Sequence, residues 1–267
     1  MSVLKLTKFK ADKNLLKAKQ KQGGRNNLGR ITVPHQGGGE KQFYRVINWS
    51  RNERFGLVAN FEYDPNRSAR LAKLYHLEEG GKPSVSYILA PKGVKIFDKV
   101  RTFTGRMKSR ILLPGDRTEL QNFEVGDLIH AVENVPNKGA LFARSAGTFC
   151  QVLQHDSNEY VKVRLPSGSQ RLIRTEAKAT YGILANEEHN QRNLLKAGRS
   201  RWLNRRPSVR GVAMNPVDHP HGGGQGKTKG GRPSVTPYSR PTKGQPTRNP
   251  RKKNELILTT RKKRKRK

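Results

Sequence analysis

The chain has one cysteine, Cys150, in 267 residues, and only 20 acidic residues against 55 Lys and Arg. One cysteine excludes an intramolecular disulfide and any four-cysteine zinc centre. No stretch reaches the roughly twenty apolar residues needed to cross a bilayer. The first ten residues, MSVLKLTKFK, hold neither a secretory apolar stretch nor the arginines of a transit peptide. The chain is therefore expected to work in the compartment where it is made. Its basic stretches lack a clean amphipathic helix, so no membrane partner is expected. The shortage of acids leaves a formal net charge of +35, and such self-repulsion opposes compaction unless a polyanion neutralises it. Nucleic acid is the obvious polyanion.

The charge is unevenly spread. Residues 1–30 carry nine Lys and Arg and one acid, Asp12, or +8; residues 191–267 carry twenty-three and two acids, Asp218 and Glu255, or +21. By subtraction residues 31–190 hold 23 basic and 17 acidic residues, a net +6. An almost ordinary globular middle thus carries two basic arms, too rich in Gly, Pro and Lys/Arg to bury a core and expected to order against a partner.

The middle reads as short strands cut by turn residues. Phe55, Leu57, Ala59, Phe61 and Tyr63 recur at period two before Asp64-Pro65-Asn66. Further runs lie at residues 71–77, 85–90 and 94–100, a spacing that predicts a small closed barrel. A second set at 128–132, 148–154, 160–165 and 169–173, with a hairpin turn at Pro166-Ser167-Gly168, predicts another. Residues 193–198 are predicted as a helical turn, and no core periodicity follows Arg199. The predicted fold is mainly β, two small barrels in tandem over 41–120 and 121–195, between basic extensions at 1–40 and 196–267.

The stretch Asp218-His219-Pro220-His221-Gly222-Gly223-Gly224-Gln225-Gly226-Lys227-Thr228 invites enzymatic readings that fail on spacing. A nucleotide-binding P-loop needs glycine five residues before Gly226, where His221 stands, and then a helix, which Lys229-Gly230-Gly231-Arg232-Pro233 does not favour. An esterase oxyanion loop needs a Gly-x-Ser-x-Gly elbow, absent from the chain. His219 and His221 have no cysteine nearby and only Asp218 as a further metal donor. No catalytic residue, cofactor, metal or small-molecule substrate is expected. Glycines do let backbone approach another surface and offer amides to anions. Flanked by Arg199, Arg201, Trp202, Arg205, Arg206, Arg210, Asn215, Lys227, Lys229 and Arg232, the glycines Gly222, Gly223 and Gly224 are expected to face RNA. Near the other end, Arg25 and Arg30 offer bidentate donors and Asn26 and Asn27 a donor and an acceptor each.

Five strings carry a family resemblance: GRNNLGRIT at 24–32, EYDPNRSAR at 62–70, ARSAGT at 143–148, VRLPSG at 163–168 and VRGVAMNPVDHPHGGG at 209–224. In this order and spacing the chain resembles large-subunit ribosomal protein two, of the bacterial and organellar type. The resemblance implies an oligonucleotide-binding-type barrel followed by an SH3-like one. It implies binding to large-subunit ribosomal RNA through residues that include Arg67, Arg70 and Arg144, with other ribosomal proteins and the small subunit as neighbours. It also implies roles in assembly and subunit association, and places Asp218, His219 and His221 near the peptidyl-transferase region, where the chemistry belongs to RNA. Glu40 after the first Gly-Gly-Gly and Gln225 after the second depart from the family's usual residues. Residues 226–233 resemble mitochondrial and related bacterial members, which makes a mitochondrial ribosome the expected setting, ahead of a bacterial cytoplasm or a plastid.

Overall fold

A computed structural model describes residues 6–7, 11–77, 83–107, 111–156, 159–226, 228, 230–244, 249 and 254–259. The fold is mainly β. A short ribbon pairs β1 (Leu16–Ala18) with β2 (Phe43–Arg45). An antiparallel sheet follows, made of β3 (Phe55–Glu62), β4 (Leu71–Leu77), β5 (Pro83–Leu89) and β6 (Lys99–Arg101) in the order β5-β4-β3-β6. Among the described residues β5 and β6 are its two edges, so hydrogen bonding does not close the sheet in the way the strand spacing predicts.

Two expectations for this sheet are corrected. In β3 the outward face begins with Phe55, while Gly56 and Val58 are buried. A register shift between Val58 and Asn60 then brings Phe61 to the core. A bulge adds one residue and so inverts the alternation beyond it. The strand predicted over 94–100 is only three residues long, because Phe97 takes a left-handed φ of 71° in a turn before Lys99.

The second sheet has seven strands in the order β15-β13-β12-β11-β8-β14-β7: β7 (Arg117–Glu119), β8 (Leu128–His130), β11 (Cys150–His155), β12 (Tyr160–Arg164), β13 (Gln170–Arg174), β14 (Lys178–Tyr181) and β15 (Ile257–Thr259). A separate ribbon joins β9 (Val132–Glu133) to β10 (Ala140–Phe142). In β12 the alternation is clean, with Val161 and Val163 buried between Tyr160, Lys162 and Arg164; branched residues suit a pleated, half-buried surface. β7 pairs with β14, so the second sheet begins before residue 121. β15 pairs with β13, so part of the predicted C-terminal extension belongs to a sheet.

Contacts group the chain into two compact units, residues 1–19, 42–193 and 255–267 in one, and residues 20–41 and 194–254 in the other. The first holds three apolar clusters. One is built on Val58, Phe61, Leu74 and Val100, and one on Phe123, Ile129, Val152 and Ile173. The third joins Ile47, Leu71, Tyr87 and Leu89 of the first β region to Ala131, Ala140 and Leu184 of the second, which is why the two make one unit. Buried charge is paired here. Arg117 and Glu133, each 1% exposed, meet at 2.7 Å, and the other Glu133 oxygen accepts the amides of Asn137 and Lys178 at 3.2 and 3.1 Å. Arg51 donates to the Gly115 carbonyl at 3.0 Å; burial first and the neighbouring Arg117 second push it down to about 9. His130 turns Nδ1 to the Gly182 carbonyl at 2.8 Å, and a carbonyl can only accept, so Nδ1 carries the proton. Burial pushes His130 down to about 4, so it is neutral near pH 7.

Candidate nucleic-acid interface

One candidate surface lies on the β unit. The Trp49 ring has the Arg67 guanidinium 5.7 Å and the Arg144 guanidinium 5.1 Å from its centroid, and Arg67 also lies 5.9 Å from the Tyr44 ring. Local sequence explains how Arg67 is held. Asp64, with no exposed side-chain surface, accepts the Asn66 amide at 2.9 Å and Arg67 Nε at 2.6 Å, closing the Asp-Pro-Asn-Arg turn. Asn66 Nδ2 donates to the Phe43 carbonyl at 2.7 Å, tying that turn to β2. Ser68 brings in the second string: its Oγ accepts the Ala146 amide at 3.1 Å across a separation of 78 residues. Two motifs far apart in sequence thus deliver one guanidinium each to the same indole. Cations over aromatic rings are a common arrangement for stacking splayed bases and meeting phosphate. The Arg70 carbonyl accepts the Ala90 amide at 2.9 Å.

The second unit has a different construction. Residues 24–32 fold back on themselves: Asn26 N donates to the Arg30 carbonyl at 2.9 Å, and Asn26 Oδ1 accepts the amides of Leu28 and Arg30, both at 3.0 Å. The Asn26 acceptor is therefore used inside the loop, while Arg25, Asn27 and Arg30 are exposed. Residues 35–39 then run antiparallel to residues 204–206. Gly37 N donates to the Asn204 carbonyl at 2.8 Å, Arg206 N to the His35 carbonyl at 3.0 Å, and Gly39 N to Asn204 Oδ1 at 2.9 Å. Just before this pairing comes α1 (Ala197–Trp202), later than the turn predicted at 193–198. Lys196 Nζ sits 5.4 Å from the exposed Trp202 ring. Arg201 donates to the Arg205 carbonyl at 3.1 Å; Arg199 is half-buried, and Arg205, Arg206 and Arg210 are exposed.

His219, 7% exposed, is the only buried residue of this unit among those described. The loop closes around it. Asn215 O accepts the amides of Asp218 and His219, and Gly222 N donates to His219 O at 2.9 Å and Gly223 N to Met214 O at 3.1 Å. His219 Nδ1 accepts the His221 amide at 3.0 Å, which leaves the Nδ1 lone pair engaged; the two rings are 4.9 Å apart. A Cβ on Gly211 would stand 2.6 Å from three atoms of the His219 ring, and one on Gly222 would stand 2.3 Å from Asn215 O. These glycines make room for the loop's own backbone and imidazole, a use different from the approach to a second surface expected of them. The amides of Gly222 and Gly223 are spent within the loop.

The chain matches the family models described as "Ribosomal Proteins L2, RNA binding N-terminal domain" over residues 12–102 and "Ribosomal Proteins L2, C-terminal domain" over residues 113–239. It is 49% identical to the large ribosomal subunit protein uL2 of Wolbachia pipientis subsp. Culex pipiens, across 97% of this chain and 92% of that protein. It is 50% identical to uL2m of Reclinomonas americana, across 90% and 84%, and 48% identical to uL2 of Alcanivorax borkumensis, across 93% and 88%. The chain belongs to the ribosomal protein L2 family.

Within that family frame, the candidate residues divide by location. Arg67 and Arg144 come together on Trp49; Arg25, Asn26, Asn27, Arg30, Arg199, Arg201, Trp202, Arg205, Arg206, Arg210, Asn215, Asp218, His219, His221, Gly222, Gly223, Gly224 and Arg232 fall in the other unit. Lys227 and Lys229 lie outside the described residues, as does the run of residues 261–267. Sequence reading passed over Trp49 and Tyr44. The available signal was the interleaving of aromatic and basic residues in FYRVINWSRNER at 43–54. The identities to bacterial and mitochondrial L2 proteins, 48–50%, do not separate those two settings.

Proposed function

We propose that this L2 protein grips large-subunit ribosomal RNA at two places, the Trp49 face and the arginine-rich unit around His219. Membership of the family makes it a structural constituent of the large ribosomal subunit that binds ribosomal RNA, a structural part and not an enzyme. Other ribosomal proteins are its neighbours there. The proposal extends to assembly, to association with the small subunit, and to a position of the His219 loop near the peptidyl-transferase region. His219 would act by holding the loop's shape against RNA.

The observation that carries this reading is the charge of the second unit. Its nineteen Lys and Arg against Glu40 and Asp218 give +17, while His219 alone is buried among its described residues. Such a unit gains from a polyanion more than from a core. Co-sedimentation tests it: the chain should travel with the large subunit at physiological salt, and absence from that fraction would overturn the reading. Affinity for large-subunit RNA should fall steeply with salt, and replacing Arg67 and Arg144 with Gln should lower the slope by about one for each phosphate no longer neutralised. If His219→Gln left both assembly and peptide-bond formation unchanged, the proposed role of the loop would be wrong. A mitochondrial setting is the finer part of the proposal, supported by residues 226–233, and fractionation of organellar and cytoplasmic ribosomes tests it.

A further inference from the structure

On the β unit a groove is lined by Arg54, Phe55, Lys99, Arg101, Thr102, Phe103 and Thr104, with a volume of about 500 Å³. That lies within the ~300–1,000 Å³ usual for small-ligand clefts. Register accounts for its composition. β3 pairs with β6 so that Phe55 stands opposite Arg101 and Leu57 opposite Lys99. Val100 and Thr102 turn inward and are buried, which sends Lys99, Arg101 and Phe103 to the other face with Phe55. The Arg101 guanidinium lies 5.1 Å from the Phe103 centroid. Asp116, with no exposed side-chain surface, holds Arg101 through Nη2 at 2.6 Å and Nε at 3.2 Å. Arg101 is thus a fixed, neutralised plane beside a phenyl ring, while Arg54 and Lys99 bring charge. Among the described residues no acidic one lines the groove, and the carboxylate of the adjacent Glu53 is engaged by Asn48 Nδ2 at 2.9 and 3.0 Å.

We infer that this face binds an unstacked nucleotide of single-stranded RNA, with Phe55 and Phe103 as platforms for bases and Arg54 and Lys99 as phosphate partners. The inference rests on the RNA-binding reading above and adds a site and a strand state to it. Aromatic rings on a basic groove suit single strands because every base has a π-face, whereas a duplex keeps its bases stacked inside. An acidic peptide is the other occupant the charge would accept, and backbone geometry disfavours it. The amides it would need for strand addition are taken: Arg101 N donates to Asp116 Oδ1 at 3.0 Å, Thr102 N to Arg54 O at 2.7 Å and Phe103 N to Arg117 O at 2.8 Å.

The test uses the full chain with a labelled oligoadenylate and an RNA duplex of equal length, at salt high enough to suppress bulk phosphate binding. Phe55→Ala and Phe103→Ala should each weaken single-strand binding by about tenfold and leave duplex binding within about twofold. Phe103→Trp should restore it, with indole fluorescence quenched by the single strand. Equal losses for single strand and duplex, no loss for either, or displacement of the single strand from this site by an oligoglutamate at matched charge would each overturn the inference. An unaltered unfolding midpoint for Phe55→Ala keeps a folding defect from imitating the expected result. Failure of the unsubstituted chain to join the large subunit would sink the parent reading, whereas normal joining without single-strand discrimination would sink this site alone.

Discussion

The unit of residues 1–19, 42–193 and 255–267 carries, by subtraction, 36 Lys and Arg against 18 acids, or +18; the unit of 20–41 and 194–254 carries +17 on fewer than half as many residues. The first encloses three apolar clusters, and the second buries His219 alone among its described residues. Burial of apolar area is the main favourable term in folding, so the first unit supplies its own driving force. The second relies on backbone hydrogen bonds, each worth about 1 kcal/mol net in water, and on close packing at its glycines, against a dense self-repulsion. The first unit has an interior to drive its folding, whereas the second has a charge density that a polyanion would offset.

The largest effect that could break this contrast concerns the buried pair. Glu133→Ala leaves Arg117 without its carboxylate and two amides without an acceptor, and should lower the unfolding free energy of the β unit by about 3–5 kcal/mol, read by chemical denaturation of RNA-free protein. An unchanged transition would mean that this unit does not depend on its interior. Next comes pH. The His130 pKa falls from 6.5 to about 4 on folding, so between those values the unfolded chain takes up a proton that the folded chain refuses. Stability is complete above pH 6.5 and is lost as pH falls towards 4, by about 3 kcal/mol at about 1.4 kcal/mol per unit. His130→Asn should flatten that part of the profile. Burial raises the Glu62 carboxyl, which acts in the opposite sense, so the comparison with His130→Asn is the informative one.

Smaller and confined to the second unit, Gly211→Ala crowds the His219 ring at an overpacking cost of about 1–3 kcal/mol. Hydrogen exchange should show Gly222 and Gly223 losing protection while β11–β13 keep theirs; loss in both would show that the units do not fold separately. The smallest effect is chemical. Burial pushes the Cys150 thiol up to about 12, so iodoacetamide should leave native protein unlabelled and modify it only after unfolding.

Legibility from sequence follows the same division. β12 stands out because Val161 and Val163 alternate with Tyr160, Lys162 and Arg164, and β4, β11 and β13 because each runs for five or more residues between turn residues. β7, β14 and β15, of three or four residues, are too short for a period to register. The β3 phase misleads because Phe55 faces outward and a bulge turns Phe61 inward. In the candidate interface Arg67 and Arg144 are legible from their motifs, but the indole that unites them is not. His219 is legible from its string; that the glycines serve its packing depends on distances across the loop. The pairing of 35–39 with 204–206 leaves no side-chain pattern at all, since backbone amides and one asparagine oxygen make it.

That pairing also sets a schedule. Gly39 and Asn204 are 165 residues apart, and a chain made from its N-terminus at about 5–20 residues per second exposes Gly37 and Gly39 well before their acceptors exist. For that interval the Gly37 and Gly39 amides lack the Asn204 acceptors that close the unit. The β strands from β3 to β14 are all synthesised inside the same interval, so the arginine-rich unit necessarily closes only after most strands of the main sheets have been made.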